Sequence, residues 1–330
     1  MDIFYILWYN IVHYLLGVVL MENISGNDIY NFIINDEFFS RNKDENVTLV
    51  RSSFGSKKIS QQIGTFADVL TSSLSHNKLN LFYENINRLN ITHSYFLKDY
   101  LLHNQYIAGE YLPSSNTIKI NKSKSDGTIF HELLHMSSSY CSNNDMIHSG
   151  FSIKSLTNNL YNIGIGLTEG YTEVLRDRYF HSDNERTFYE WQQTFSLLTE
   201  CIVGKDKMEN FYFNADLKGF LNELSKYNDP IDVINFLKAV DDVTYIKKYP
   251  DKNNAFKYIY RFLIHSFLSK EFINPSDLIN PDLNHISSVF FSAFPSDIYF
   301  DNKIYQVNVK SIIDEEYQII KSKLKSKKLN

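Results

Sequence analysis

The stretch GTIFHELLHMSSSYC, residues 127–141, carries the feature that most restricts this chain locally: two histidines four positions apart, with a glutamate after the first. In an α-helix, residues i and i+4 lie one above the other on the same face. His131 and His135 can then offer two imidazole nitrogens to one tetrahedral Zn²⁺, but only if the stretch is helical. Glu132 is turned by about 100° from His131, too far round to bind the same ion head-on. It is well placed to reach a water bound there. With ten histidines in 330 residues, a chance HExxH is expected in about one or two of a hundred such chains. The surrounding sequence therefore has to decide.

That context has a regular grammar. Residues 109–123, GEYLPSSNTIKINKS, read as a hairpin: Tyr111 and Leu112, a Pro-Ser-Ser-Asn turn, then Ile118 and Ile120 alternating with Lys119 and Asn121. Ser125 or Asp126 can cap the HELLH helix. The strand 116–121 is expected to form one wall of a cleft, where an extended peptide could pair by backbone hydrogen bonds. Residues 141–159 are polar and read as a long loop, and helix resumes over 164–180. Further helices are predicted at 27–39, 64–74, 79–91, 94–104, 188–203, 215–226, 230–240, 253–269 and 310–325, with strands at 46–53 and 303–309.

A catalytic zinc needs a third protein ligand and an open position for water. Cys141 and His148 are candidates, but a HExxHxxGxxH site would want Gly at 138 and His at 141, where this chain has Ser138 and Cys141. Glu169 in GLTEGYTE is favoured. It lies on a predicted helix with Glu173 at i+4 on the same face, and Gly166 and Gly170 allow close helix approach. Glu169 would bind the metal, and Glu173 would accept the second N–H of a ligand histidine and fix its orientation. For the donor that stabilises a developing oxyanion, Tyr161, Tyr171, Arg176, Tyr179, His148 and His181 are the nearby candidates.

HELLH followed after a spacer by a Glu-Gly-Tyr-Thr-Glu helix resembles the gluzincin group of zinc metallopeptidases, which includes thermolysin-like enzymes and clostridial neurotoxin light chains. More narrowly, residues 109–180 are similar to uncharacterised bacterial proteins with a Leu-Asn-Glu-Gly-x-Thr-Glu helix; this chain has Thr168 where those carry Asn. The resemblance implies one Zn²⁺ per chain on His131, His135 and Glu169, with Glu132 as general base and a peptide or protein as substrate. Its rivals are a zinc hydrolase of a non-peptide bond, an inactive zincin-fold binding or regulatory module, and no metal at all, with HELLH a core helix.

The rest of the sequence sets outer limits. Hydrophobic content of 43% and 15% aromatic residues supply a packed core. A net charge of −5 gives no electrostatic case for nucleic acid. Two cysteines, Cys141 and Cys201, exclude a Cys₄ zinc site. Residues 3–21 are apolar at nearly membrane-spanning length, broken by Asn10 and His13, and no Lys or Arg precedes Arg41. They read as an anchor, a core helix or a mis-assigned start, with no convincing cleavable signal peptide. A membrane contact would run through this segment alone, and a cytoplasmic chain is favoured over an anchored one. The expected fold is α+β and mostly helical. It comprises an apolar segment 1–22, a zincin-like core 23–185 with a small mixed sheet, and a C-terminal helical subdomain 186–330.

Overall fold

The computed structural model describes residues 57–94, 108–121, 127–142, 145–157, 162–180, 189–244, 252–271, 297–300 and 303–327. The apolar segment 3–21, the expected helix 27–39, the strand 46–53, most of the helix 94–104, and Ser125 and Asp126 lie outside these residues.

The chain is mostly helical with small sheets. Helix α1 (Lys57–Ser73) buries Ile59, Ile63, Phe66, Ala67 and Leu70, the spacing of one helical face. Helix α2 (Asn80–Ile86) ends sooner than the expected 79–91, and Asn90–Ser94 form strand β1 instead. The β-branched Ile91 and Thr92 suit an extended pairing, and Ile91 sits opposite Ile118. Strands β2 (Gly109–Leu112) and β3 (Thr117–Asn121) make the expected hairpin. Its turn runs through Pro113–Ser115 and closes on Asn116 at φ 46°, a left-handed conformation that asparagine tolerates.

The sheet is mixed, in the order β1-β3-β2, with β1 parallel and β2 antiparallel to β3. This corrects one expectation: 116–121 is the middle strand, and among the described residues β1 and β2 are the two edges. Helix α3 (Gly127–Ser137) carries HELLH and packs against α1, α2, β2 and β3.

The described part of 141–159 is not the predicted loop. Strands β4 (Ser139–Cys141), β5 (Met146–Ser149) and β6 (Ser152–Ser155) form a three-stranded antiparallel sheet directly after α3. Each is three or four residues long and rich in Ser, so no single strand shows the period-2 pattern that would identify it. Cross-strand pairing and the burial of Met146, Phe151 and Ile153 hold them.

Helix α4 (Ile165–Phe180) follows and packs against α3. Behind it stand α5 (Glu190–Val203), α6 (Lys205–Phe213), α7 (Leu217–Leu224), α8 (Pro230–Thr244) and α9 (Lys252–Glu271). A β7–β8 hairpin (Asp297–Phe300, Lys303–Gln306) and α10 (Val309–Lys327) complete the described chain. Helix α6 has no counterpart among the sequence expectations. Buried apolar side chains from Ile59 to Ile320 join in one contiguous core. Among the described residues no helix is long and apolar enough to cross a membrane.

Candidate metal centre

The HELLH helix is apolar on most of its circumference: Ile129, Leu133, Leu134 and Met136 are all buried. Its histidines therefore sit in a helix held from several sides. The C-terminal end is secured by polar groups, because the last carbonyls of a helix lack intrahelical partners. Ser137, Ser138 and Ser139 donate their hydroxyls to Leu133 O, Leu134 O and His135 O at 2.7, 3.0 and 2.6 Å. Asn85 on α2 donates to Met136 O and Ser139 O at 2.8 and 2.7 Å.

Helix α4 brings Glu169 to this face. His131 Nε2 and His135 Nε2 are 3.0 Å apart, and Glu169 Oε2 lies 3.2 and 3.3 Å from them. These three are the residues among those described that could jointly hold a metal. Ligands at about 2.0–2.1 Å from a tetrahedral ion stand about 3.3–3.4 Å apart, close to the triangle observed. The histidines are 8% and 9% exposed, and the Glu169 side chain 20%, so access is from the Glu169 side.

The flanking groups extend the pattern. Glu173 Oε1 accepts from His131 Nδ1 at 2.7 Å, which leaves Nε2 of that ring directed at the triangle. Arg176 Nη2 contacts the other Glu173 oxygen at 2.7 Å. Glu132 is buried beside the triangle, and its carboxylate accepts the backbone N–H of Tyr111 on the edge strand. Gly109 makes this approach possible. A Cβ there would fall 2.7 Å from Thr128 Cγ2 and 3.0 Å from Glu132 Cγ.

The buried groups shift accordingly. Burial pushes the Glu132 carboxyl above its ordinary range, against the pull of His131 and His135. Burial lowers His131, yet its bonds to Glu169 and Glu173 win and raise it to about 10. Burial raises Glu169, but the two histidines hold it well below the usual carboxylate range. Glu132, Glu169 and Glu173 bring three carboxylates here, and in the metal-free chain the raised His131 and Arg176, which is paired to Glu173, stand against them. The two imidazole nitrogens and the Glu169 oxygen form an N/O donor set of the kind that suits Zn²⁺.

The other sequence candidates for a ligand or an oxyanion donor are exposed or engaged with other partners. Cys141 is exposed on β4, and His148 is buried on β5 with its ring stacked on Tyr140 at 4.5 Å. Tyr171 donates to Glu200 at 2.6 Å, Tyr179 to Glu209 at 2.7 Å, and Arg176 is engaged with Glu173. Tyr161 and His181 fall outside the described residues. Gly166 and Gly170 do permit close approach, but on the back of α4. A Cβ at Gly166 would meet Thr244 Oγ1 at 2.3 Å, and one at Gly170 would meet Gln192 O at 2.1 Å.

Two tyrosines belong to the site that sequence reasoning did not single out. Tyr189 stacks beside His131, centroids 6.2 Å apart with rings 15° from parallel. Tyr212 is fully buried behind the triangle. Its hydroxyl is 2.6 Å from Thr172 Oγ1 and bonded to Ser138, which ties α4 to the end of α3. Neither carries a local signal, since both arrive from helices beyond the motif. No family model matches this chain, and no curated protein or solved structure matches it.

Proposed function

We propose that this chain is a zinc-dependent metallopeptidase of the gluzincin type, with one Zn²⁺ on His131, His135 and Glu169. The observation that carries this reading is the triangle of His131 Nε2, His135 Nε2 and Glu169 Oε2, with sides of 3.0–3.3 Å. When bound there, the metal would lower the pKa of a water and polarise the scissile carbonyl.

The chain's own residues supply the rest. Glu132 takes a proton from the attacking water and delivers it to the leaving amine. A carboxyl raised by burial is better matched to that task than an exposed one. Glu173 holds the His131 ring in the orientation that aims Nε2 at the metal. Strand β2 pairs with β3 and, among the described residues, has no second strand neighbour. Its outer edge can accept an extended peptide as a further strand, within reach of Glu132 through Tyr111. That edge favours a peptide over a non-peptide substrate.

The test is a cleavage-site profile on a proteome-derived peptide mixture with purified wild-type chain and Glu132→Gln. The wild type should hold one zinc and generate new N-termini. Glu132→Gln should hold the same zinc and lose about 10²–10⁴-fold in rate. Loss of metal in Glu132→Gln would make Glu132 a ligand. A zinc-loaded wild type that cuts no peptide would sink the peptidase reading in favour of an inactive module or a hydrolase of another bond.

A further inference from the structure

Glu169 stands one turn into α4, and the start of that helix is capped by a side chain of α8 rather than by a neighbouring residue. Asp241, near the end of α8, accepts the N–H of Gly166 on Oδ1 at 2.7 Å and that of Gly164 on Oδ2 at 2.8 Å. It accepts from Ile165 N–H as well. The first N–H groups of a helix have no intrahelical acceptor, and here they are collected by one carboxylate from a residue 75 positions away. Gly164 enters the helix at φ +80°. The contact is tight beside the clamp too, because a Cβ on Gly166 would fall 2.8 Å from Val240 O. Thr244, on the same turn of α8, accepts Gln192 Nε2 at 3.0 Å and so joins α5 to the assembly.

We infer that Asp241 is a positioning residue for the metal centre, acting through the first turn of α4 to set the height of Glu169 against His131 and His135. The inference rests on the zinc reading above. Its physical basis is tolerance: a metal–ligand distance is specified to about 0.2 Å, while Glu169 lies only about 4.5 Å along the helix from Gly166. A small slide of α4 on α8 is therefore passed almost undiminished to the ligand oxygen. Glu173, one turn further on, would shift with it and turn the His131 ring.

The experiment compares zinc affinity, by chelator competition well below the melting temperature, in wild type, Asp241→Asn, Gly166→Ala and Asp216→Ala. Asp216 caps α7 through Gly219 N–H at 2.8 Å, and its replacement by alanine reports the loss of a helix cap away from α4. Asp241→Asn and Gly166→Ala should each weaken zinc binding about 10-fold, as loss of an outer support does, with native circular dichroism. Asp216→Ala should lower the melting temperature and leave affinity unchanged. Hydrogen exchange in the metal-free chain should show Gly164 and Gly166 amides deprotected in Asp241→Asn. Wild-type affinity retained in both α4–α8 variants would overturn the inference, as would an equal loss in Asp216→Ala. So would failure of both α4–α8 variants to fold, since Asp241 would then serve global stability alone. A wild type that binds no zinc is a different result: it refutes the metal reading itself, while the exchange data still report whether the clamp holds α4.

Discussion

Two clusters of buried ionisable side chains lie along α4, and their polar atoms are partnered differently. Towards its C-terminal end, Arg178 pairs with Glu200 at 2.7 Å and Glu209 at 3.2 Å, and Lys78 reaches Glu209 at 3.1 Å. Tyr171 and Tyr179 donate hydroxyls to the same two carboxylates. With the exposed Asp206 on Lys78 at 2.7 Å and Lys205 at 3.8 Å from Glu209, three cations meet three anions, and Glu200 and Glu209 each have donors on both oxygens. That cluster is complete as it stands. One to two turns earlier, Arg176 pairs with Glu173 at 2.7 Å, and two imidazole nitrogens face each other at 3.0 Å with a Glu169 oxygen beside them. Those three atoms are the ones the proposed zinc would take up. The comparison separates an ion-pair network that fastens helices from the triangle on which the zinc proposal rests.

The sharpest way to break this comparison is to remove a histidine. His131→Ala or His135→Ala should abolish stoichiometric zinc binding, because two protein ligands do not hold a catalytic zinc well. Full occupancy by elemental analysis in either variant would refute the site. Arg178→Met should do the converse. It should destabilise the fold by about 3–5 kcal/mol, the cost of leaving buried carboxylates without their partner, yet leave zinc affinity unchanged. Denaturant unfolding and chelator competition on one sample would show whether the two clusters are independent.

Smaller effects sharpen the distinction within the site. Glu169→Ala should weaken zinc far more than Glu173→Ala, for which a loss of about 10- to 100-fold is expected. Equal losses would mean that Glu173 binds the metal too. Cys141→Ser and His148→Ala should leave affinity nearly unchanged. The mildest effect concerns protons. In the metal-free chain His131 is raised to about 10, above its unfolded value of about 6.5. The stabilisation it contributes is thus fully present below pH about 6.5 and is lost as pH rises through about 10. Metal-free stability should fall across that window, and Glu173→Ala should flatten the fall. Zinc requires the neutral ring, so uptake at pH 7 should release about one proton. Titration calorimetry in buffers of different ionisation enthalpy measures this directly.

Much of the helical architecture was legible because it repeats every 3.6 residues. The helices ending in Thr244, Glu271 and Lys327 are visible as periodic apolar faces, whereas the expected helix 64–74 covers only the later part of α1, whose buried stripe begins at Ile59 and Ile63. The β4–β6 sheet was not, because strands as short as SYC, MIHS and SIKS owe their existence to neighbours across the sheet. The roles of Gly166 and Gly170 were half legible: small residues announce a close approach without naming the partner, which proved to be α8 and α5.

The sequence by itself determined which residues share a face. His131 with His135, and Glu169 with Glu173, are each one helical turn apart, and that relation is local. Only the tertiary structure decided that the two faces meet within 3.3 Å, that Glu132 sits under the N–H of Tyr111, and that Asp241 holds the start of α4. Such distances depend on how α3, α4, α5 and α8 pack around one core, and packing is set by many weak contacts between residues far apart in the chain.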